Sequence, residues 1–186
     1  MHALFFEVRP KPGHLAHYFE HVALLRPVLA KHTGLAFLDR YASLTDADVI
    51  LSHQLWESEE AIVAWRQDAT HRRSQTAGRQ VHFTNYRIRV GARVLHWTGG
   101  EVTPLGASDT SHVVALYGTA PVTNPAFSGF ESVNHKGQFI ALATVDGAAA
   151  AQALLDQHLG TSGLEEAAIY SIRRDYGQHD RTQAPN

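Results

Sequence analysis

The chain has 186 residues, a formal charge of −2 with histidine neutral, 44% apolar and 18% charged residues, and no cysteine. That length buries a core without metal or disulfide staples, and a near-neutral charge with no long basic run excludes general nucleic-acid binding through counterion release. The absent cysteines exclude disulfides, thiol nucleophiles, Fe–S clusters and thiolate zinc sites.

The opening run "MHALFFEVRP" is broken by Glu7 and Arg9, which is too short and too charged for a signal peptide. No apolar run reaches membrane-spanning length, so a cytoplasmic protein without membrane contact is expected. In the same run Leu4, Phe6 and Val8 alternate with Phe5, Glu7 and Arg9, the period of a strand. Next, Leu15, Tyr18, Phe19, Val22, Leu25 and Leu29 make one helical stripe, which Pro27 predicts to kink or end near Arg26. His14, His17 and His21 flank that stripe and are predicted to face solvent. "LAFLDRYASL" and "VILSHQLW" read as two strands around the turn "TDAD". Ser58 caps a second helix with Glu59 and Glu60 in its first turn, and "VHFTNYRIRV" is a fourth strand.

The order β-α-β-β-α-β is a split βαβ unit, an antiparallel sheet with both helices on one face. Its other face is still apolar and needs a second sheet. After the Gly/Thr/Pro-rich stretch 98–110 the order repeats, with the first helix reduced to the loop "TAPVTNPA". The predicted fold class is therefore α+β, with tandem ferredoxin-like repeats at 1–97 and 111–186, a linker at 98–110, and antiparallel sheets stacked into a barrel-type core. Pairing within one chain is the favoured arrangement, and a homodimer stays open.

The segment "WESEEAIVAWRQDATHRRSQTAGRQVHFTNYRIRV" resembles the signature of antibiotic biosynthesis monooxygenase (ABM) domains. The features that carry this are Trp56 ending a strand, "SEEAI" opening a helix, Trp65–Arg66, His71–Arg72, Gln75, Gly78–Arg79 and "YRIRV". "RDYGQHDRTQAP" resembles the tail after the family's last strand. The resemblance covers residues 2–95 and implies dimeric α+β barrels. It implies either cofactor-independent oxidation of aromatic polyketides to quinones or oxidative opening of haem. Haem-degrading members carry an Asn on the first strand, where this chain has Glu7 or Val8, and a longer Trp-to-His spacing than Trp65 to His71.

Candidate site residues follow. Trp65 is either a core contact or the wall of a cavity for flat apolar ligands. His71 is either structural or a base or haem ligand. On an unbroken helix it would point roughly 120° away from Trp65, so a shared pocket requires a bend at Asp68–Thr70. Arg72 is either a surface partner of Asp68 at i,i+4 or the holder of a substrate anion. His53 is expected to face inward, and Trp56, Tyr86 and His53 are candidate substrate contacts. No metal site is expected, and no phosphate loop, dinucleotide fingerprint, HExxH or nucleophile elbow appears.

Three readings remain. The first is a monooxygenase without cofactor acting on a small apolar, aromatic or enolic molecule, with His71 or His53 as base, Arg72 on the anion, and Trp65 and Tyr86 as walls. The second is haem binding or degradation through His71. The third is a small-molecule-binding barrel without catalysis, with the space beside Trp65 filled.

Overall fold

The computed structural model describes residues 1–185. The elements run β1 (His2–Pro10), α1 (Leu15–Leu29), β2 (Leu35–Ser43), β3 (Ile50–Trp56), α2 (Glu59–Gln67), α3 (Ala69–Ala77), a π-helical turn (Gly78–His82) and β4 (Phe83–Trp97). They continue as β5 (Ser111–Gly118), β6 (Ser128–Ser132), β7 (Phe139–Asp146), α4 (Ala148–Asp156) and β8 (Leu164–Gly177). All eight strands join antiparallel in the closed order β1-β3-β2-β6-β7-β5-β8-β4. Each half keeps the ferredoxin-like order, β4-β1-β3-β2 and β8-β5-β7-β6, and the barrel closes within the single chain.

Closure follows from the alternation along the strands. Ala3 and Phe5 of β1, Leu51 of β3 and Tyr41 of β2 point inward, against Val113, Ala115, Phe130, Ile140, Leu142, Ala168 and Tyr170 from the second half. Strands β3 and β5 are buried on both sides. Two seams join the halves. The β4–β8 seam is long, running from Arg87↔Gly177 to Trp97↔Ala167. The β2–β6 seam has three residue pairs, Tyr41↔Ser132, Ala42↔Glu131 and Ser43↔Phe130. Side chains reinforce the short seam. The buried Asp39 carboxylate accepts from Ser132 Oγ at 2.7 Å and Asn134 Nδ2 at 2.7 Å. Inside the barrel, Arg89 pairs with Glu7 and donates from Nη1 to Thr144 Oγ1 at 2.6 Å, tying the first sheet to β7.

The structure differs from the sequence-based expectation in three elements. Helix α1 runs through Pro27 to Leu29; the proline forfeits the bond an N–H would make to the Ala23 carbonyl, and the helix ends two residues later. The second helix is two helices, α2 and α3. Strand β4 is longer than the apolar run suggests because its outer half, through "GARVLHW", makes the long seam with β8. Between β5 and β6 there is no helix, and residues 119–127 form a loop. No helix among the described residues is long and apolar enough to cross a membrane.

The two helical layers pack differently. In the second half α4 lies flush on its sheet through Ala151, Leu155, Ala141, Ala143 and Ala167. In the first half two clusters hold the helices off the sheet. One joins Leu29, Trp56, Ile62, Trp65 and Val90; the other joins Val8, Tyr18, Ile50 and Tyr86. Between them α1 keeps only Tyr18 and Leu29 buried, because part of its apolar stripe faces a void.

The Arg89–Glu7 pair yields a test. Removing the carboxylate strands a guanidinium that is 5% exposed in the lumen. Glu7→Gln should lower unfolding free energy by about 3 kcal/mol, whereas Arg89→Met with Glu7→Leu should recover much of that loss, both read by chemical denaturation.

Candidate active site

The void between the first sheet and its helices is a cavity of about 630 Å³, within the size range of small-molecule sites. Leu4, Phe6, Ile88 and Val90 form its floor, and Leu25, Ile62 and Trp65 its roof. The second half contributes as well. Asn134 and His135 enter from the β6–β7 hairpin, and Arg174, Tyr176, Arg181 and Pro185 from β8 and the tail. The space beside Trp65 is open.

The break at Asp68 arranges the reactive corner. Asp68 has φ −54° and ψ 131°, outside helical values, so α2 ends and α3 begins at one residue. Its carboxylate accepts from the backbone N–H of Thr70 at 2.8 Å and of His71 at 3.0 Å, the pattern of an N-cap. The His71 N–H holds the Asp68 carboxyl below its ordinary pKa. The break turns His71 back toward Trp65, and the two rings stack at 3.9 Å and 16°. His71 Nδ1 lies 2.9 Å from the Trp65 carbonyl oxygen. A carbonyl only accepts, so Nδ1 carries the proton and Nε2 keeps its lone pair. Gln75 Nε2 is 3.5 Å from that Nε2 and 3.2 Å from Nδ1. Burial lowers the His71 pKa to about 4, against the opposing pull of the Trp65 carbonyl. At neutral pH His71 is an uncharged base.

The other candidates separate. Trp65, His71 and Tyr86 line the cavity. Trp56 is fully buried beneath α2, with its indole N–H on Gln54 Oε1 at 2.9 Å, and supports the wall from behind. His53 is on the opposite face of the sheet, inside the barrel, stacked on Phe5 at 4.7 Å with Nε2 3.0 Å from the Tyr117 hydroxyl. Strand alternation puts residue 53 inward and residues 52 and 54 toward the cavity. Arg72 is exposed and outside the cavity, because the break rephases α3. Its expected partner Asp68 instead caps α3 and meets His32 Nε2 at 3.3 Å. The cation near His71 is Arg66, which donates to the Pro185 carbonyl at 2.8 Å and the Tyr176 hydroxyl at 3.3 Å. Arg181 donates to the Tyr86 hydroxyl at 2.6 Å. Sequence reasoning missed Arg66 and Arg181. The first was visible beside Trp65, and the second becomes a site residue only through barrel closure.

His14, His17 and His21 surround His82 rather than standing free, with His14 and His82 Nδ1 atoms 3.0 Å apart. Among the described residues no three His, Asp or Glu side chains converge as a metal site.

Residues 1–77 match the family described as antibiotic biosynthesis monooxygenase. The first half of the chain is similar to an ABM domain. A Pyricularia oryzae protein named jasmonate monooxygenase ABM is 28% identical over 216 residues, spanning 100% of this chain and 97% of its own. Among solved structures, an anthrone oxidase-like protein superposes with a TM-score of 0.43 at 14% identity, covering 100% of this chain and 96% of its own. A Pseudomonas aeruginosa protein gives 0.45 at 15% identity, covering 50% of this chain and 93% of its own. The ABM match covers β1 through α3, the elements that bring Trp65 and His71 together, and the tail that completes the cavity lies outside it.

His71 and His53 both have folded pKa values near 4 against an ordinary 6.5. Between those values the unfolded chain binds more protons, so stability is complete above about pH 6.5 and declines toward pH 4. Melting temperature should fall across that window, and His53→Gln should flatten the fall, as read by thermal scans at graded pH.

Proposed function

We propose that this protein is a monooxygenase that works without metal or flavin on a small aromatic or enolic molecule. The observation that carries this reading is the neutral His71. Its Nδ1–H is fixed by the Trp65 carbonyl and its Nε2 lone pair remains available at the wall of a partly open, mostly apolar cavity. The Pyricularia relative's name supports an oxygenation.

In this reading the substrate activates oxygen itself. His71 Nε2 takes a proton from an acidic C–H or O–H, leaving an electron-rich anion. A base with a pKa near 4 does this only where the substrate's own acidity is raised, so the cation beside it matters as much as the base. Arg66, close enough to His71 to lower its pKa further, stabilises the developing oxyanion. The anion passes one electron to O2, the radical pair joins as a hydroperoxide, and loss of water leaves a carbonyl. A CH2 group thus becomes C=O, and the two atoms of O2 end in the product and in water. The apolar walls keep bulk water from quenching the anion.

Oxygen uptake with anthrone as substrate tests this reading. His71→Ala should slow turnover by about 100-fold or more, and Arg66→Met should act in the same direction, while Arg72→Met should leave the rate unchanged. Equal rates in wild type and His71→Ala would remove His71 as the base.

The same hydrogen bond favours haem as a second reading, because a ligating histidine commonly donates its other ring N–H to a backbone carbonyl. His71 Nε2 would hold the iron, and a bound haem would supply oxygen activation. Titration with haemin decides it: a Soret shift that His71→Ala abolishes supports ligation, and an unshifted band removes it.

A further inference from the structure

The cavity is charged oppositely to the protein around it. The chain carries −2 overall, yet six arginines line the cavity against two carboxylates, Asp39 and Glu59. Most of these charges are already engaged. Arg174 Nε donates to Glu59 at 2.7 Å, Arg66 is held by Pro185 and Tyr176, and Arg181 by Tyr86. Asp39 accepts from Ser132, Asn134 and the Arg40 backbone N–H, with His135 Nδ1 at 3.4 Å.

Arg40 is different. It lies on β2, directly across from Ser52 on β3, and both point to the cavity. Its Nε is buried without a hydrogen-bond partner. No carboxylate pairs with its guanidinium among the described residues. The Tyr18 hydroxyl meets it: burial raises the Tyr18 pKa, and the charge of Arg40 and its hydrogen bond to the hydroxyl pull the other way. The Arg40 side chain is half-buried, and its Nε, buried and unpaired, is a donor left for a ligand's acceptor. A planar fork of N–H donors matches a carboxylate in two-point contact. Phe6, Leu25 and Leu38 supply apolar wall in the same cavity.

We infer that the cavity takes an apolar molecule bearing one carboxylate, held by Arg40 at the β2 wall with Tyr18 and Ser52 beside it. The carboxylate class rests on Arg40 alone. Its role as the anchor that orients a substrate against His71 rests on the function proposed above.

Isothermal titration of the full-length protein with 1-naphthoate and with 1-naphthamide, its neutral isostere, tests the inference without any turnover. Wild type should bind the naphthoate at least about tenfold more tightly than the amide. Arg40→Met, which keeps an unbranched apolar stem, should erase that preference by weakening the naphthoate and sparing the amide. Arg40→Lys should retain part of it, and Arg73→Met, exposed and outside the cavity, all of it. Thermal unfolding of each variant checks folding; if Arg40→Met fails to fold, the wild-type pair and Arg40→Lys still decide. Equal wild-type affinities, parallel loss of both ligands in Arg40→Met, or binding of neither would overturn the inference. Charge-selective binding with no oxygen uptake on an anthrone carboxylate would leave the carboxylate site standing and remove the oxygenase reading.

Discussion

Everything in this molecule depends on the barrel closing within one chain. Each four-stranded sheet has two apolar faces, and one layer of helices covers one of them. Stacking the inner faces buries Phe5, Leu51, Phe130, Ile140 and Tyr170 against one another, and each large side chain so buried contributes roughly 1.5–3 kcal/mol. With the inner faces settled, the first sheet can leave part of its outer face uncovered. The seams show how the closure is secured. The long one relies on ladder bonds between β4 and β8, and the short one adds the satisfied Asp39 and the Ser132 and Asn134 donors around it. An acid buried with that many donors stays ionised; its donors together hold its pKa below the usual carboxylate range despite burial.

The two halves share a topology and have divided the work. Small side chains on β7 and β8 let α4 sit against the second sheet. The first half places Trp56 and Trp65 at one end of its helical layer and Tyr18 and Tyr86 at the other, and these large rings act as spacers. The second half then serves the first. Its hairpin brings Asn134 and His135 to the cavity, and its tail brings Arg181 to Tyr86 and Pro185 to Arg66. An isolated first half would lack that wall.

Period-two alternation made the strands legible, and the Ser58 cap marked the start of α2, where its hydroxyl accepts from Ala61 N–H at 3.2 Å. The site was half legible. Trp65 and His71 could be named, but their meeting required the break at Asp68, which no proline or glycine announces. The signal was there in a weaker form, since Asp68 followed by Thr70 and His71 is an N-cap pattern inside what reads as one helix. Without the break the phase of every later residue is wrong, which is why Arg72 looked like an anion partner and stands in solvent. His53 misled for another reason. Alternation correctly puts it inward, but a sheet buried on both faces has two insides, and only the outer one faces the cavity. Arg40 gave no local signal: one arginine in a strand reads as a solvated face until the β6–β7 hairpin and α1 are seen to enclose it.

The neutral histidine and the arginines are best understood together. Burial that keeps His71 uncharged at neutral pH also makes it a poor base, and the same low-dielectric surroundings make a nearby guanidinium more effective on a substrate anion than it would be in water. A cavity that only removed protons would gain from a histidine of ordinary pKa. A cavity that must hold an electron-rich anion away from water, next to O2, gains more from a weak base that returns to neutrality and from cations that carry the charge. The placement of His71 beside Arg66 in the cavity wall fits the function proposed above.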